Sequence, residues 1–190
     1  MAKRSVQPFR PVYPSPAALI TAVSEDGKAN IITLGEVYNL SIAKPVIIGI
    51  SIAKPRYTHE LITRTGEFVV NLPPARILEK VDRCGSVSGR DVDKFAAFGL
   101  TALPATQVRP PLIAECPVNL ECRLLGTEEI GDHDMFRGEV LVQHVDEEVL
   151  DASGHIQVSR LDPLCYIMGE YWSVSRKLGH HGFTRSAKRG

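Results

Sequence analysis

The stretch Val46–Asn71, VIIGISIAKPRYTHELITRTGEFVVN, decides the fold. Its first seven residues, Val46 to Ile52, are dominated by β-branched side chains and bounded by Pro45 and by Lys54-Pro55, the signature of a buried strand. The loop Ala53-Lys54-Pro55-Arg56-Tyr57 carries two cations, Thr58 stands where a helix N-cap is expected ahead of His59-Glu60-Leu61-Ile62, and Gly66 stops the helix. Glu67 to Leu72 then reads as a second core strand, closed by Pro73-Pro74. A helix N-terminus presents unpaired N–H groups and about half a positive charge. Cations and a hydroxyl gathered there make a seat for a phosphate, and so for a phosphorylated cofactor. The same residues also suit a plainer reading, with Lys54 and Arg56 as solvated loop charges and Thr58 as a structural cap.

Outward from this stretch, strands dominate. Residues 1–16 are irregular, because Pro8, Pro11, Pro14 and Pro16 exclude a helix. Ala17 to Ser24 reads as a strand, Asp26-Gly27 as a tight hairpin turn, and Ala29 to Thr33 as the returning strand. Leu34 to Leu40 mixes residue types around Gly35, which suggests a bulge or a close approach to the backbone. Ala75 to Cys84 places Ile77, Leu78, Val81 and Cys84 at helical spacing with Gly85 as the stop. A Gly/Ser-rich loop, Gly85 to Arg90, leads to Asp91 as the cap of a short helix holding Lys94, Phe95 and Phe98 and ended by Gly99. Val118 to Leu124 alternates as a half-buried strand, and Phe136 to Val145, Leu164 to Met168 and Tyr171 to Val174 supply further strands. The turn before Phe136 contains Gly131-Asp132-His133-Asp134. Antiparallel strands with short helices between them point to a mainly β protein whose sheet closes or splits into a barrel, since an open sheet would leave edges to protect.

The chain has 190 residues, enough for one full core and too few for two ordinary domains, so residues 1–190 read as a single domain with an irregular arm (1–16) and a basic tail (176–190) that Phe183 pins. With 22 basic against 22 acidic residues, no global field favours nucleic acid or an anionic membrane. A 44% hydrophobic, 23% charged composition argues against disorder. No run approaches the length of a membrane span or a signal-peptide core, so a cytoplasmic protein is expected. Cys84, Cys116, Cys122 and Cys165 have no CxxC spacing and sit among apolar neighbours, as reduced buried thiols do. His180-His181 lies in the basic tail, where solvated histidines are the ordinary case, and no metal site is expected.

Taken together and in order, Asn30 to Gly35, Pro45 to Ile52 with Arg56-Tyr57-Thr58-His59, Gly66 to Pro73, Asp93-Lys94-Phe95, Leu120-Glu121-Cys122 and Gly131-Asp132-His133 give a chain that resembles the flavin reductase-like, FMN-binding split-barrel family, and within it the flavoredoxin type, from about Pro14 to Gly179. The resemblance implies a split barrel holding FMN. It implies that the backbone of Ile32-Thr33-Leu34-Gly35 passes along the flavin, and that Ser51 and Ile52, with Lys54, Arg56, Tyr57 and Thr58, hold the ribityl and phosphate groups. Lys94 matches a lysine often placed near the phosphate, and Asn71 ends a core strand facing the same region. Many relatives carry serine where this chain has Gly35, which leaves recognition there to main-chain groups.

The resemblance also implies that His133 borders the flavin face; read from the residues alone it is a turn histidine bonded to Asp132 or Asp134. Tyr171 and Trp172 suit a cover over the flavin, a subunit contact or ordinary core packing. A homodimer is a further implication of the family. The expected activity is transfer of electrons from NADH or NADPH to FMN and on to a flavin, a ferric chelate or a protein acceptor, with the cofactor supplying the reactive atoms. No Gly-x-Gly-x-x-Gly fingerprint, nucleophile elbow or HExxH is present, so a nicotinamide would bind transiently. The competing expectation is an FMN-binding electron carrier or sensor reduced by a partner protein. A relative of pyridoxine-phosphate oxidases, which share the barrel plan, is the third.

Overall fold

The computed structural model describes residues 2–188, with side chains through residue 185. The strands are β1 (Ser15–Pro16), β2 (Ala18–Val23), β3 (Ala29–Leu34), β4 (Val37–Ser41), β5 (Ile47–Ala53), β6 (Glu67–Leu72), β7 (Ala102–Leu103), β8 (Leu112–Ile113), β9 (Val118–Ile130), β10 (His133–Val145), β11 (Leu164–Ile167) and β12 (Glu170–Ser173). The helices are α1 (Tyr57–Thr65), α2 (Leu78–Ser86), α3 (Lys94–Phe98) and α4 (Val158–Leu161). The protein is mainly β with short helices, as the sequence predicts. Seven strands form one antiparallel sheet in the order β3-β2-β6-β9-β10-β5-β4, and β1-β11-β12 form a second, smaller sheet.

The sheet separates two apolar clusters. On one face Ile20, Ile32, Ile50, Ile52, Phe68 and Phe136 pack with Leu61 and Ile62 of α1; on the other, Leu19, Ile31 and Ile113 pack against Val81 and Cys84 of α2. β2 feeds both clusters and is buried at every residue, so ALITAV carries no polar alternation. Phe68 and Phe136 are fully enclosed, and truncating either to alanine would cost about 3–5 kcal/mol. The Phe68 ring occupies the space that a side chain at Gly138 would need: a Cβ there would fall 2.5 Å from the ring. The bulge between Arg137 and Gly138 therefore needs glycine for close approach rather than for its dihedrals.

Several local expectations shift. β5 and β6 lie where the sequence reading puts them, within one residue. Helix α1 starts earlier, with extended Arg56 as its N-cap and no side-chain cap; Thr58 is buried inside the first turn. Gly66 ends the helix in the left-handed conformation, φ 70°, as expected. Gly85 continues α2 instead of stopping it, because the glycine lets the helix pass 3.2 Å from Thr33 where its Cβ would stand. Asp93, not Asp91, caps α3: its carboxylate accepts from the N–H groups of Phe95 and Ala96 at 3.1 and 3.3 Å. β9 and β10 run 13 residues each, so His133 and Asp134 open a strand rather than sit in a turn. In the basic tail, residues 183–188 form a short 3-10 turn, with the Phe183 ring 6.2 Å from that of His180; Met1 of the arm and the last two residues of the tail lie outside the described residues.

Candidate functional site

Strand β3 runs beneath the C-terminal end of α2, and the loop after β5 stands opposite that end. Between them lies a first cavity of about 210 Å³ whose floor is Asn30 and Ile32, with Arg56 and Thr58 on one side, Gly85 to Gly89 on the other, and Lys94 at its base. Arg56, Gly85 and Ser86 also line a second cavity of about 260 Å³ that continues past Thr33, Leu34 and Gly35. A third, about 320 Å³, shares Arg10, Gly35, Glu36 and Tyr166 with the second and is roofed by residues 11–16. The three make one groove, cationic at the first cavity and apolar at the third.

The charge at the first cavity has a simple origin. No aspartate or glutamate lines it, whereas Arg56 and Lys94 do. Lys94 is 3% exposed, and its Nζ donates to the carbonyls of Ile31 at 2.7 Å and Cys84 at 2.6 Å. An ammonium has three donors, so one remains for the cavity. Burial lowers the Lys94 pKa to about 8, reinforced by Arg56 and opposed by Cys84. Burial likewise pushes the Cys84 thiol up to about 11, so it is not a nucleophile at neutral pH. Asn30, 3% exposed, donates Nδ2 to the Thr58 hydroxyl at 2.8 Å while its Oδ1 is enclosed without a partner. Because the hydroxyl accepts from Nδ2, it keeps its own proton to donate. Helix α1 begins at the same rim without a side-chain cap. Spare donors, two cations and no acid together fit an anion.

The middle of the groove is shaped by close approach. The Thr33 hydroxyl is tied to the Val81 carbonyl, so that side chain braces α2 and only the strand backbone faces the groove. A Cβ at Gly35 would lie 2.8 Å from Cδ1 of Tyr166. A serine there would strike this ring. Tyr171, whose hydroxyl donates to Asp82 at 3.3 Å, packs edge-on against Tyr166, and burial with that carboxylate raises its pKa to about 12. Arg10 pairs with Glu36 and lies 5.5 Å from the Tyr166 ring centroid, holding the arm over the second and third cavities.

Ile32, Thr33, Leu34, Gly35, Arg56, Tyr57, Thr58 and Lys94 are therefore brought to the groove. The other candidates stand apart from its walls. Lys54 turns away to Glu129 at 2.5 Å and Asp134 at 3.9 Å. Ser51 sits behind the groove with its N–H on the Glu36 carbonyl, and Ile52 is sealed in the core. Asn71 is fully buried elsewhere, donating to the Leu19 carbonyl and accepting from Ile113 N–H and Asn119 Nδ2. His133 opens β10 opposite Ala53 and bonds Asp132 at 2.9 Å, outside the cavity walls. Among residues the sequence reading did not single out, Asn30 had a visible signal: a lone amide in an otherwise apolar strand. Arg10, Tyr166 and Ser86 had none, since their approach depends on tertiary packing. Among the described residues no cluster of metal-ligating side chains exists.

This groove lies within residues 10–175, which match the flavin reductase like domain. The chain belongs to that family. An uncharacterized protein of Archaeoglobus fulgidus is 40% identical over 136 residues, 71% of this chain and 75% of that protein. The flavoredoxin of Desulfovibrio vulgaris (Miyazaki F) superposes with a TM-score of 0.90 at 29% identity, covering 97% of this chain and 100% of that one. A Shewanella frigidimarina structure described as a flavin reductase with split barrel domain superposes with a TM-score of 0.80 at 24% identity, over 87% of this chain and 84% of that one. The split barrel expected from the strand pattern is thus the fold of this flavin reductase-like chain. No helix among the described residues is long and apolar enough to cross a membrane.

Proposed function

We propose that the groove holds FMN, with the phosphate in the first cavity and the ring system toward Gly35 and Tyr166, and that the chain is an FMN-dependent oxidoreductase drawing electrons from NADH or NADPH. The carrying observation is the first cavity's complement: Arg56, Lys94 with one N–H to spare, Thr58 and no carboxylate. When bound, FMN supplies the redox chemistry itself. The chain's own contribution is positioning. Arg56 and Lys94 balance the phosphate charge, the Thr58 hydroxyl, oriented by Asn30 Nδ2, donates to one of its oxygens, and the backbone of Thr33 to Gly35 runs beside the ring. His133, which bonds Asp132 outside the cavity walls, has a part at the nicotinamide face only as the family resemblance implies it. Ser51, Ile52, Lys54 and Asn71 act behind the site, by holding the strands and loop that form it.

Electrons would leave to a free flavin, a ferric chelate or a protein acceptor at the open third cavity. The exposed apolar residues of edge strand β4, Tyr38, Leu40 and neighbouring Ile42, with Phe9 and Val12 of the arm, support a second copy of the chain as the cover of this side. Sedimentation of the purified protein checks that dimer, and a monomer at working concentration contradicts it. Mixing the protein with FMN and each nicotinamide, and following the loss of nicotinamide absorbance, tests the activity. Oxidation supports the reductase. FMN binding without oxidation of either nucleotide leaves the carrier reduced by a partner protein in its place.

A further inference from the structure

We infer that Arg90 is a specificity residue: it clasps the two walls of the anion seat together at the end away from the ring, so that the seat accepts a terminal phosphate monoester and turns away the diphosphate of a dinucleotide. The inference rests on the flavin reading above and names which flavin the seat selects. One wall is the end of α2 and the loop through Gly89; the other is Pro55 to Thr58. Arg90 leaves the first wall and crosses to the second. Its Nη1 reaches the Pro55 carbonyl at 3.5 Å, its Nη2 donates to Glu60 Oε2 at 2.8 Å, and its guanidinium stands 4.8 Å from the Tyr57 ring centroid. A carboxylate, a carbonyl and an aromatic face on three residues of the same wall fix a planar group better than any one of them alone.

The loop carrying Arg90 is itself seated hard on the floor. A Cβ at Gly89 would fall 1.8 Å from Asn30 Oδ1, so only glycine lets the chain pass here and turn into Arg90. The opposite end of the cavity is continuous with the second cavity through Arg56, Gly85 and Ser86. A ligand entering from the ring side therefore runs, beyond the phosphate, toward the end where Arg90 ties the two walls together. Charge agrees with shape. A phosphate monoester carries about −1.5 to −2 at neutral pH, matching Arg56 with Lys94 and no acid, whereas each phosphate of a dinucleotide diphosphate carries a single charge and must continue into a second nucleoside. Glu60 is also paired with Arg64 at 3.4 Å, which keeps its carboxylate oriented toward the loop.

The test is a pair of fluorescence-quenching titrations of the flavin-stripped protein with FMN and with FAD, on wild type, Arg90→Ala and Glu60→Gln, with thermal melts to show that each variant is folded. The wild type is expected to prefer FMN by at least about 30-fold, about 2 kcal/mol. In Arg90→Ala the ratio should close to within about threefold, chiefly through gained FAD affinity, and Glu60→Gln should close it part-way. Equal affinity of wild type for the two flavins, or an unchanged ratio in Arg90→Ala, overturns the clasp while leaving the flavin site standing. Failure of wild type to bind either flavin overturns the flavin reading and the clasp with it.

Discussion

Two buried polar clusters on the large sheet differ in one respect. Around Glu121, on β9, every valence is used: Oε1 accepts from Thr106 N–H at 2.8 Å and its hydroxyl at 2.9 Å and meets His144 Nε2 at 2.6 Å, while Oε2 accepts from Gln107 and Val108 N–H at 2.6 and 3.2 Å. Around Asn30, on β3, an amide oxygen has no partner and a lysine keeps one donor free beside a cavity. The first cluster closes on itself and ties the loop 106–108 to the sheet. The second does not close, and a buried polar group left open is unfavourable until something fills it. A closed polar network builds the fold, whereas an open one beside a cavity marks a site.

Breaking the closed cluster should have the largest effect. Glu121→Ala strands three backbone N–H groups and His144 and is expected to lower unfolding free energy by about 3–5 kcal/mol in urea titrations, with flavin affinity of the folded protein unchanged. A loss under about 1 kcal/mol would mean that water replaces the carboxylate. Next, Arg56→Ala combined with Thr58→Ala should weaken FMN binding by about 1.5–3 kcal/mol per lost charged contact, measured calorimetrically, while the protein still folds. Unchanged affinity would remove the proposed seat.

The two clusters should also respond to pH, both by gaining stability as pH rises but in separate windows. Burial acts to raise the Glu121 pKa, but the N–H groups of Thr106 and Gln107 and the His144 contact outweigh it and hold the carboxyl at about 2, below its ordinary 4.5. Its stabilisation is complete above the unfolded value and is lost as pH falls from 4.5 toward 2. Lys94 acts in an alkaline window, where a cost is relieved: with a folded pKa near 8 against 10.5 unfolded, the unfolded chain binds more protons between those values, so ligand-free stability should climb across that window. Saturating FMN or Lys94→Arg should flatten the climb, and a climb of equal size in Lys94→Arg would assign it elsewhere. The smallest effect is expected from Arg109→Ala, which breaks a half-exposed pair with Glu67 at 3.3 Å and should change stability by at most about 0.5 kcal/mol.

The contrast also explains what was legible in the sequence. The runs of β5 and β6 and the glycine that ends α1 are local signals, and each lands where its residues place it. The loop between β5 and α1 was legible as cationic, but not which cation faces the groove. Lys54 is captured by Glu129 and Asp134 from the long β9–β10 arm, whose polar outer half carries no apolar alternation to reveal it. Thr58 looks like a cap because a hydroxyl before a helix usually is one; here the chain turns helical two residues earlier and the hydroxyl faces Asn30 instead. Asn71 ends a core strand as read, yet its amide is occupied by Leu19, Ile113 and Asn119, partners that only the tertiary fold brings near.

The affinity of the purified chain for FMN against riboflavin, which lacks only the phosphate, tests the open cluster most directly. Filling the vacant donors of Arg56, Lys94 and Thr58 should make FMN tighter by at least about a hundredfold, about 2.7 kcal/mol. Equal affinity for the two would mean that these buried groups hold no phosphate, and the assignment of the groove would fail.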